Sequence, residues 1–133
     1  MVHCYSLSLK QTISWINARQ QRGDVALEIH ADAFNNPSVR GASCFYIANN
    51  SERKQHAELM LRSLLRRLPS LPSRGAKPDT AAAVGRLAIC RDIICPSLLL
   101  EVGFITNPED RALMIERRRD MAVGIADGLA EWS

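Results

Sequence analysis

Two carboxylates and a histidine sit at the ends of apolar runs, and that placement is where chemistry could begin. Leu98-Leu99-Leu100 reads as a strand buried on both faces, as in a parallel sheet, with Glu101 at its end and Gly103 turning the chain. Val25-Ala26-Leu27 leads in the same way into Glu28-Ile29-His30-Ala31-Asp32. In open α/β sheets the carboxyl ends of strands face the functional crevice. A carboxylate delivered there is costly to desolvate unless it has a partner or a task. The plainer reading of Glu101 is a side chain that points into solvent where the strand frays. Histidine at a sheet mouth is a good zinc ligand, because a nearby carboxylate can fix its tautomer; it can equally be a strand-end histidine satisfied by a hydrogen bond. A glutamate across the crevice could serve as general base toward a metal-bound water.

The elements that must position these groups follow from periodicity and punctuation. Residues 1–7 are undetermined. From Ser8 the spacing of Leu9, Ile13 and Ile16, with Trp15 broadening the face, predicts a helix that Gly23 stops. Residues 24–29 read as a strand ending in His30 to Asp32, and 42–48 as a second, with Asn35-Asn36-Pro37 as a turn between them. Asn50-Ser51 opens a helix whose apolar stripe is Ala57, Met60, Leu61, Leu64, Leu65 and Leu68. Residues 73–84 read as a long polar loop of the kind that often carries function. Residues 86–91 are expected to be a third strand, and 98–101 a fourth. Asn107-Pro108-Glu109-Asp110 is a helix start with a capping residue, a proline at the first helical position and two acids in the first turn. A short helix through Ala112, Leu113 and Ile115 and a closing one through Met121, Ile125, Leu129 and Trp132 complete the chain. Alternating helix and strand predicts an α/β fold with a mainly parallel sheet and helices on both faces.

Composition bounds the rest. With 133 residues the chain is one domain, and its 47% hydrophobic content with few aromatics suits an aliphatic α/β core. A net charge of +3, with both signs interspersed, is too weak to argue for nucleic acid. No apolar run reaches the length of a membrane span, and Met1 to Tyr5 lack the pattern of a signal peptide, so the chain reads as soluble. Cys44 and Cys90 lie in apolar segments and read as small buried hydrophobes. Cys90 and Cys95 with His3 or His56 match no standard zinc spacing.

The order "strand ending in IHAD", "RGASCFYI", helix, "SRGAKPDT…RLAICR", "PSLLLEVGFITNPED" resembles the catalytic domain of zinc-dependent N-acetylmuramoyl-L-alanine amidases, from about Ser8 to Trp132. By that resemblance His30 corresponds to a zinc ligand and Glu101 to the catalytic glutamate. The implied reaction is hydrolysis of the amide joining the lactyl group of muramic acid to the L-alanine of the peptidoglycan stem peptide. Asp32 is expected to orient His30 or to cap the following turn. Arg91, read as lying at a strand end near the crevice, could pair with a stem-peptide carboxylate or with Glu101, and Arg74 and Lys77 could meet the polymer from the long loop. The substrate implies the periplasm or cell wall.

The departures from the family pattern matter as much. Members begin with a strand ending in a glycine-rich segment that carries another histidine ligand, followed by a helix bearing a glutamate ligand, and neither is found in this sequence. His3 stands in no such context. The expectation is therefore a single amidase-like domain, partial at its N-terminus, with an incomplete zinc ligand set to which Glu28, on the same strand face as His30, could contribute. Three readings compete: an amidase missing its first segments, a metal-free homologue that holds muropeptide or a partner without catalysis, and a basic binding module using Arg62, Arg66, Arg67 and Arg117 to Arg119. The last lacks an aromatic platform for stacking bases. A shortened sheet is also expected to leave an exposed edge open to homodimer formation.

Overall fold

A computed structural model describes residues 7–133. The chain runs α1 (Leu9–Arg19), β1 (Ala26–Asp32), β2 (Ala42–Tyr46), α2 (Ser51–Arg67), β3 (Ser73–Pro78), a single 3-10 turn (Asp79–Ala81), α3 (Ala88–Arg91), β4 (Ser97–Phe104), α4 (Pro108–Glu116) and α5 (Arg118–Trp132). The strands form one sheet in the order β1-β4-β2-β3. β1 pairs parallel to β4 and β2 parallel to β3, while β2 and β4 run antiparallel. Parallel neighbours need a crossover of about a dozen residues or more. α2 supplies such a crossover between β2 and β3.

Alternation along β4 divides the core in two. Leu98, Leu100 and Val102 join Ala42, Cys44 and Tyr46 of β2 against α2 and α5. Leu99 points the other way, with Phe45, into a smaller cluster closed by Ile13 of α1, Ile89 and Cys90 of α3, and Ile93. Helices therefore cover both faces, as the sequence predicts. Burial raises the thiol pKa of Cys44 far above its ordinary value, and that of Cys90 to about 12, so these two are packing groups.

Three local expectations need correction. Residues 73–78 are not loop but the edge strand β3, a Ser-Arg-Gly-Ala-Lys-Pro segment with no β-branched or aromatic residue, held as strand by pairing with β2 alone. Residues 88–91 are a helical turn rather than a strand: Ile89 and Cys90 enter the same cluster, which consecutive residues of a strand cannot do. α1 ends at Arg19, capped by Gln20, and Gly23 takes its positive φ in the turn that follows.

The end of β4 is fixed by the start of α4. Asn107 Oδ1 accepts from the N–H groups of Glu109 and Asp110, and its Nδ2 donates to the Pro37 carbonyl at 2.8 Å. Asp110 is fully buried: its carboxylate accepts from Gly41 N–H at 2.7 Å, Phe104 N–H at 3.0 Å and Arg40 Nε at 2.9 Å. Arg40 also pairs with Glu109. Gly103 makes this approach possible. Its φ is +137°, and a Cβ there would stand 3.1 Å from both Asp110 Oδ2 and Met114 Cε. Gly103→Ala is expected to lower stability by roughly 1–3 kcal/mol, measured by urea denaturation.

Candidate active site

Glu101 and His30 are brought together by strand register. In the parallel pair β1/β4, His30 lies opposite Glu101 and Glu28 opposite Leu99. Side-chain alternation puts Glu28, His30 and Glu101 on the face that also carries Leu99 and Phe45. Glu101 does not point into solvent: it is 8% exposed, lies inside β4 rather than at its frayed end, and is flanked by β2, where Ser43 is its antiparallel neighbour. Its Oε1 is 3.6 Å from His30 Nδ1. Its other oxygen, Oε2, is buried without a hydrogen-bond partner among the described residues. His30, about half exposed, turns Nε2 toward Glu28 Oε1 at 3.0 Å.

These surroundings set the acidity of Glu101. Burial disfavours its charged form, the Asp32 carboxylate adds to that, and His30 opposes both without cancelling them, so the carboxyl is pushed up to about 7. Asp32 acts on Glu101 through space. Its own Oδ1 accepts from Ala33 N–H at 2.8 Å.

A cavity of about 290 Å³ opens in front of this group. The sheet contributes His30, Asp32, Phe45, Leu99 and Glu101 to its lining, and the segment after β3 contributes Ala82, Ala83, Val84 and Leu87. No residue of that segment stands out in the sequence by its chemistry. The one available signal was the length of the polar stretch.

Neither expected cation reaches the cavity. Arg91 lies on α3, where Nε and Nη2 donate to Asp79 at 2.6 and 2.9 Å. Asp79 is fully buried and also accepts from Ala48 N–H at 3.0 Å and Leu87 N–H at 3.1 Å. Burial works against its ionisation, but the hydrogen bonds from Arg91, Ala48 and Leu87 outweigh it and hold the carboxyl below its ordinary value. Arg91 thus pairs with Asp79 and not with Glu101. Arg74 sits on the edge strand with its guanidinium 5.2 Å from the Phe104 ring, a cation–π contact away from the cavity lining. Lys77, also on β3, is not part of that lining.

A catalytic zinc takes three protein ligands and leaves one position open. Among the described residues, no group of three or more His, Cys, Asp and Glu side chains is arranged to hold a metal ion. His30 offers one imidazole, and the carboxylate beside it already faces its Nε2. Cys44 and Cys90 are in the cores. The donor set falls short of a zinc site, and His3 lies outside the described residues.

The family profile described as N-acetylmuramoyl-L-alanine amidase matches residues 4–131. The chain belongs to this amidase family. Probable cell wall amidase LytH of Staphylococcus epidermidis is 24% identical over 119 residues, covering 88% of this chain and 38% of the relative. The chain thus spans about two fifths of the length of the curated relatives it matches. Among solved structures, the catalytic domain of CwlV, an amidase from Paenibacillus polymyxa, superposes with a TM-score of 0.76 at 26% identity, covering 95% of this chain and 65% of that one. An N-acetylmuramoyl-L-alanine amidase from Clostridium difficile 630 gives 0.81 at 22% identity, with coverage of 95% and 65%, a likeness of fold. The amidase-family fold is therefore shared over almost all of this chain.

The Asp79 cluster generates a stability prediction. Its carboxyl is depressed in the folded state, so its contribution is present above the ordinary aspartate value and is lost as pH falls through the folded value. Asp79→Ala leaves two backbone N–H groups and Arg91 without their acceptor. It is expected to cost about 3 kcal/mol at pH 7, with the difference from wild type shrinking below about pH 4 in urea titrations.

Proposed function

We propose that this chain contributes to hydrolysis of the amide between N-acetylmuramic acid and L-alanine in peptidoglycan, with Glu101 as the general base. One observation carries the reading most: a buried carboxylate with a histidine beside it, Oε2 without a hydrogen-bond partner among the described residues, in the lining of a cavity of about 290 Å³. Family membership supports the bond. The acidity of Glu101 supports the role, because a base poised near the working pH combines availability with driving force.

In this reading the ionised Glu101 takes a proton from the attacking water. The same carboxyl then gives it to the departing alanine nitrogen, so the amide C–N bond breaks to a carboxylic acid and a free amine. His30 holds Glu101 through Nδ1, and Glu28 on the far side of the ring fixes the imidazole's orientation. A zinc ion, where the family's chemistry requires one, would use His30 together with donors that the described residues do not supply. Such an enzyme would work at the cell wall or in the periplasm, where its polymer lies. The free edge of β1, paired on one side only, is where a second copy could add a strand.

The shortfall in metal donors favours a second reading, a family member that holds muropeptide or a partner without turning it over. Zinc content separates the two. Under the first, the purified protein binds close to one equivalent by mass spectrometry of the metal, and His30→Ala releases it; under the second, the wild type binds none.

Glu101→Gln is expected to abolish hydrolysis of muropeptides, followed by chromatography of the released stem peptide. In the wild type, kcat/KM should rise about tenfold per pH unit below about 7 and level off above, because the ionised base is the active form. Stability should move the opposite way. The folded carboxyl is raised from 4.5 to about 7, so the native state favours its protonated form, and stability falls as pH rises through that interval. Glu101→Gln should therefore have the higher melting temperature at pH 8, with the gap closing toward pH 4.

A further inference from the structure

The cavity lining has two sources that differ in kind. The sheet supplies His30, Asp32 and Glu101 beside Phe45 and Leu99; the segment after β3 supplies Ala82, Ala83, Val84 and Leu87, with no polar side chain. Val84 lines the cavity and is nevertheless 83% exposed, the most open of the large apolar side chains described. A single exposed valine means little by itself. Here it belongs to a stretch that contributes only apolar side chains to a cavity also lined by the buried Glu101.

That stretch is not loosely tethered. The Asp79 carbonyl accepts from Ala82 N–H at 3.1 Å, and the Ala82 carbonyl from Gly85 N–H at 2.9 Å. The Asp79 carboxylate, fixed by Arg91 on α3 and by Ala48 N–H beyond β2, takes Leu87 N–H at the far end of the segment. One buried side chain thus holds both ends of residues 79–87.

We infer that the 82–87 segment is a substrate-contacting lip that receives the methyl groups flanking the scissile amide, with Val84 as its specificity-determining residue and Asp79 with Arg91 as its positioning pair. The inference rests on the amidase reading above. The chemistry matches from both sides. Glu101, in the cavity lining, would meet the amide N–H or the water that attacks it. The lactyl methyl on one side of the amide and the alanine methyl on the other find small apolar partners. The substrate's acidic groups lie further out, because Asp32 and Glu101 would repel them here.

The test is calorimetric binding of N-acetylmuramoyl-L-alaninamide, a neutral ligand, and of its glycinamide analogue, which lacks one methyl. Glu101→Gln serves as the background so that nothing is turned over. On that background the alanine ligand should bind about fourfold more tightly than the glycine one. Val84→Asp should weaken the alanine ligand about tenfold and erase the discrimination, with its melting temperature unchanged because the side chain is exposed. Val84→Ile should restore both. Arg91→Ala should also lose the discrimination, whereas a pair that only stabilised the fold would change the melting temperature and leave the alanine-to-glycine ratio intact. If the ligands bind and Val84→Asp leaves affinity and ratio as they were, the lip is refuted while the amidase reading stands. If neither ligand binds, the amidase reading fails for this chain and the lip with it.

Discussion

Strand β4 is buried along its whole length and yet delivers a carboxylate, and the rest of the molecule depends on that combination. Leu98, Leu100 and Val102 fill the core against α2 and α5, and Leu99 fills the core against α1 and α3. Glu101 takes the next inward position on the smaller side, where a leucine would have continued the pattern. Neighbouring strands on both sides leave the backbone no freedom to rotate the group into solvent. A side chain in this position keeps its charge only at a cost in desolvation, which His30 offsets in part. The cost is visible as the raised acidity threshold of Glu101.

The other two deeply buried acids show what the protein does when a carboxylate is only structural. Asp110 accepts hydrogen bonds from two backbone N–H groups and Arg40. Asp79 accepts from two backbone N–H groups and twice from Arg91. Both are saturated, as buried polar groups ordinarily are. They also act alike, each tying a loop to the elements on either side: Asp110 joins the end of β4 to the start of β2, and Asp79 joins the end of β3 to α3. Glu101 is of a different kind: no hydrogen-bond partner for its Oε2 is found among the described residues.

What the sequence made legible follows from how local each signal is. β4 and the helices α2 and α5 announced themselves through apolar runs and stripes, and the start of α4 through its cap, its proline and its acids. The facing of Glu28 and His30 followed from strand alternation, which needs no knowledge of partners. β3 stayed hidden because its residues have little intrinsic preference for a strand; its conformation comes from β2. The turn at Ala88–Arg91 stayed hidden because a short apolar run fits a strand or a helical turn equally well until its burial is known. Asp110 was read as a first-turn acid favoured by the helix dipole, and its larger role, gripping Gly41 and Phe104, lies in contacts remote in sequence. Asp79 gave no signal, since an aspartate after a proline reads as a surface turn.

The arginines bear on what the crevice can accept. The sequence places Arg91 near the crevice and Arg74 on a loop that could meet the polymer; in the structure one pairs with Asp79 and the other lies over Phe104. Glu28, Asp32 and Glu101 therefore surround His30 with no arginine or lysine in the cavity lining. In the reading proposed above, a crevice so charged repels the carboxylates of a stem peptide and favours a neutral reacting group with its methyl substituents. It would also favour any cation that can approach. The same acidic surroundings that raise the Glu101 carboxyl would let a nearby positive charge restore its ionised form. Under that reading, selectivity for an uncharged amide and sensitivity to a bound cation are two consequences of one arrangement: a histidine among carboxylates, on a strand that cannot turn them outward.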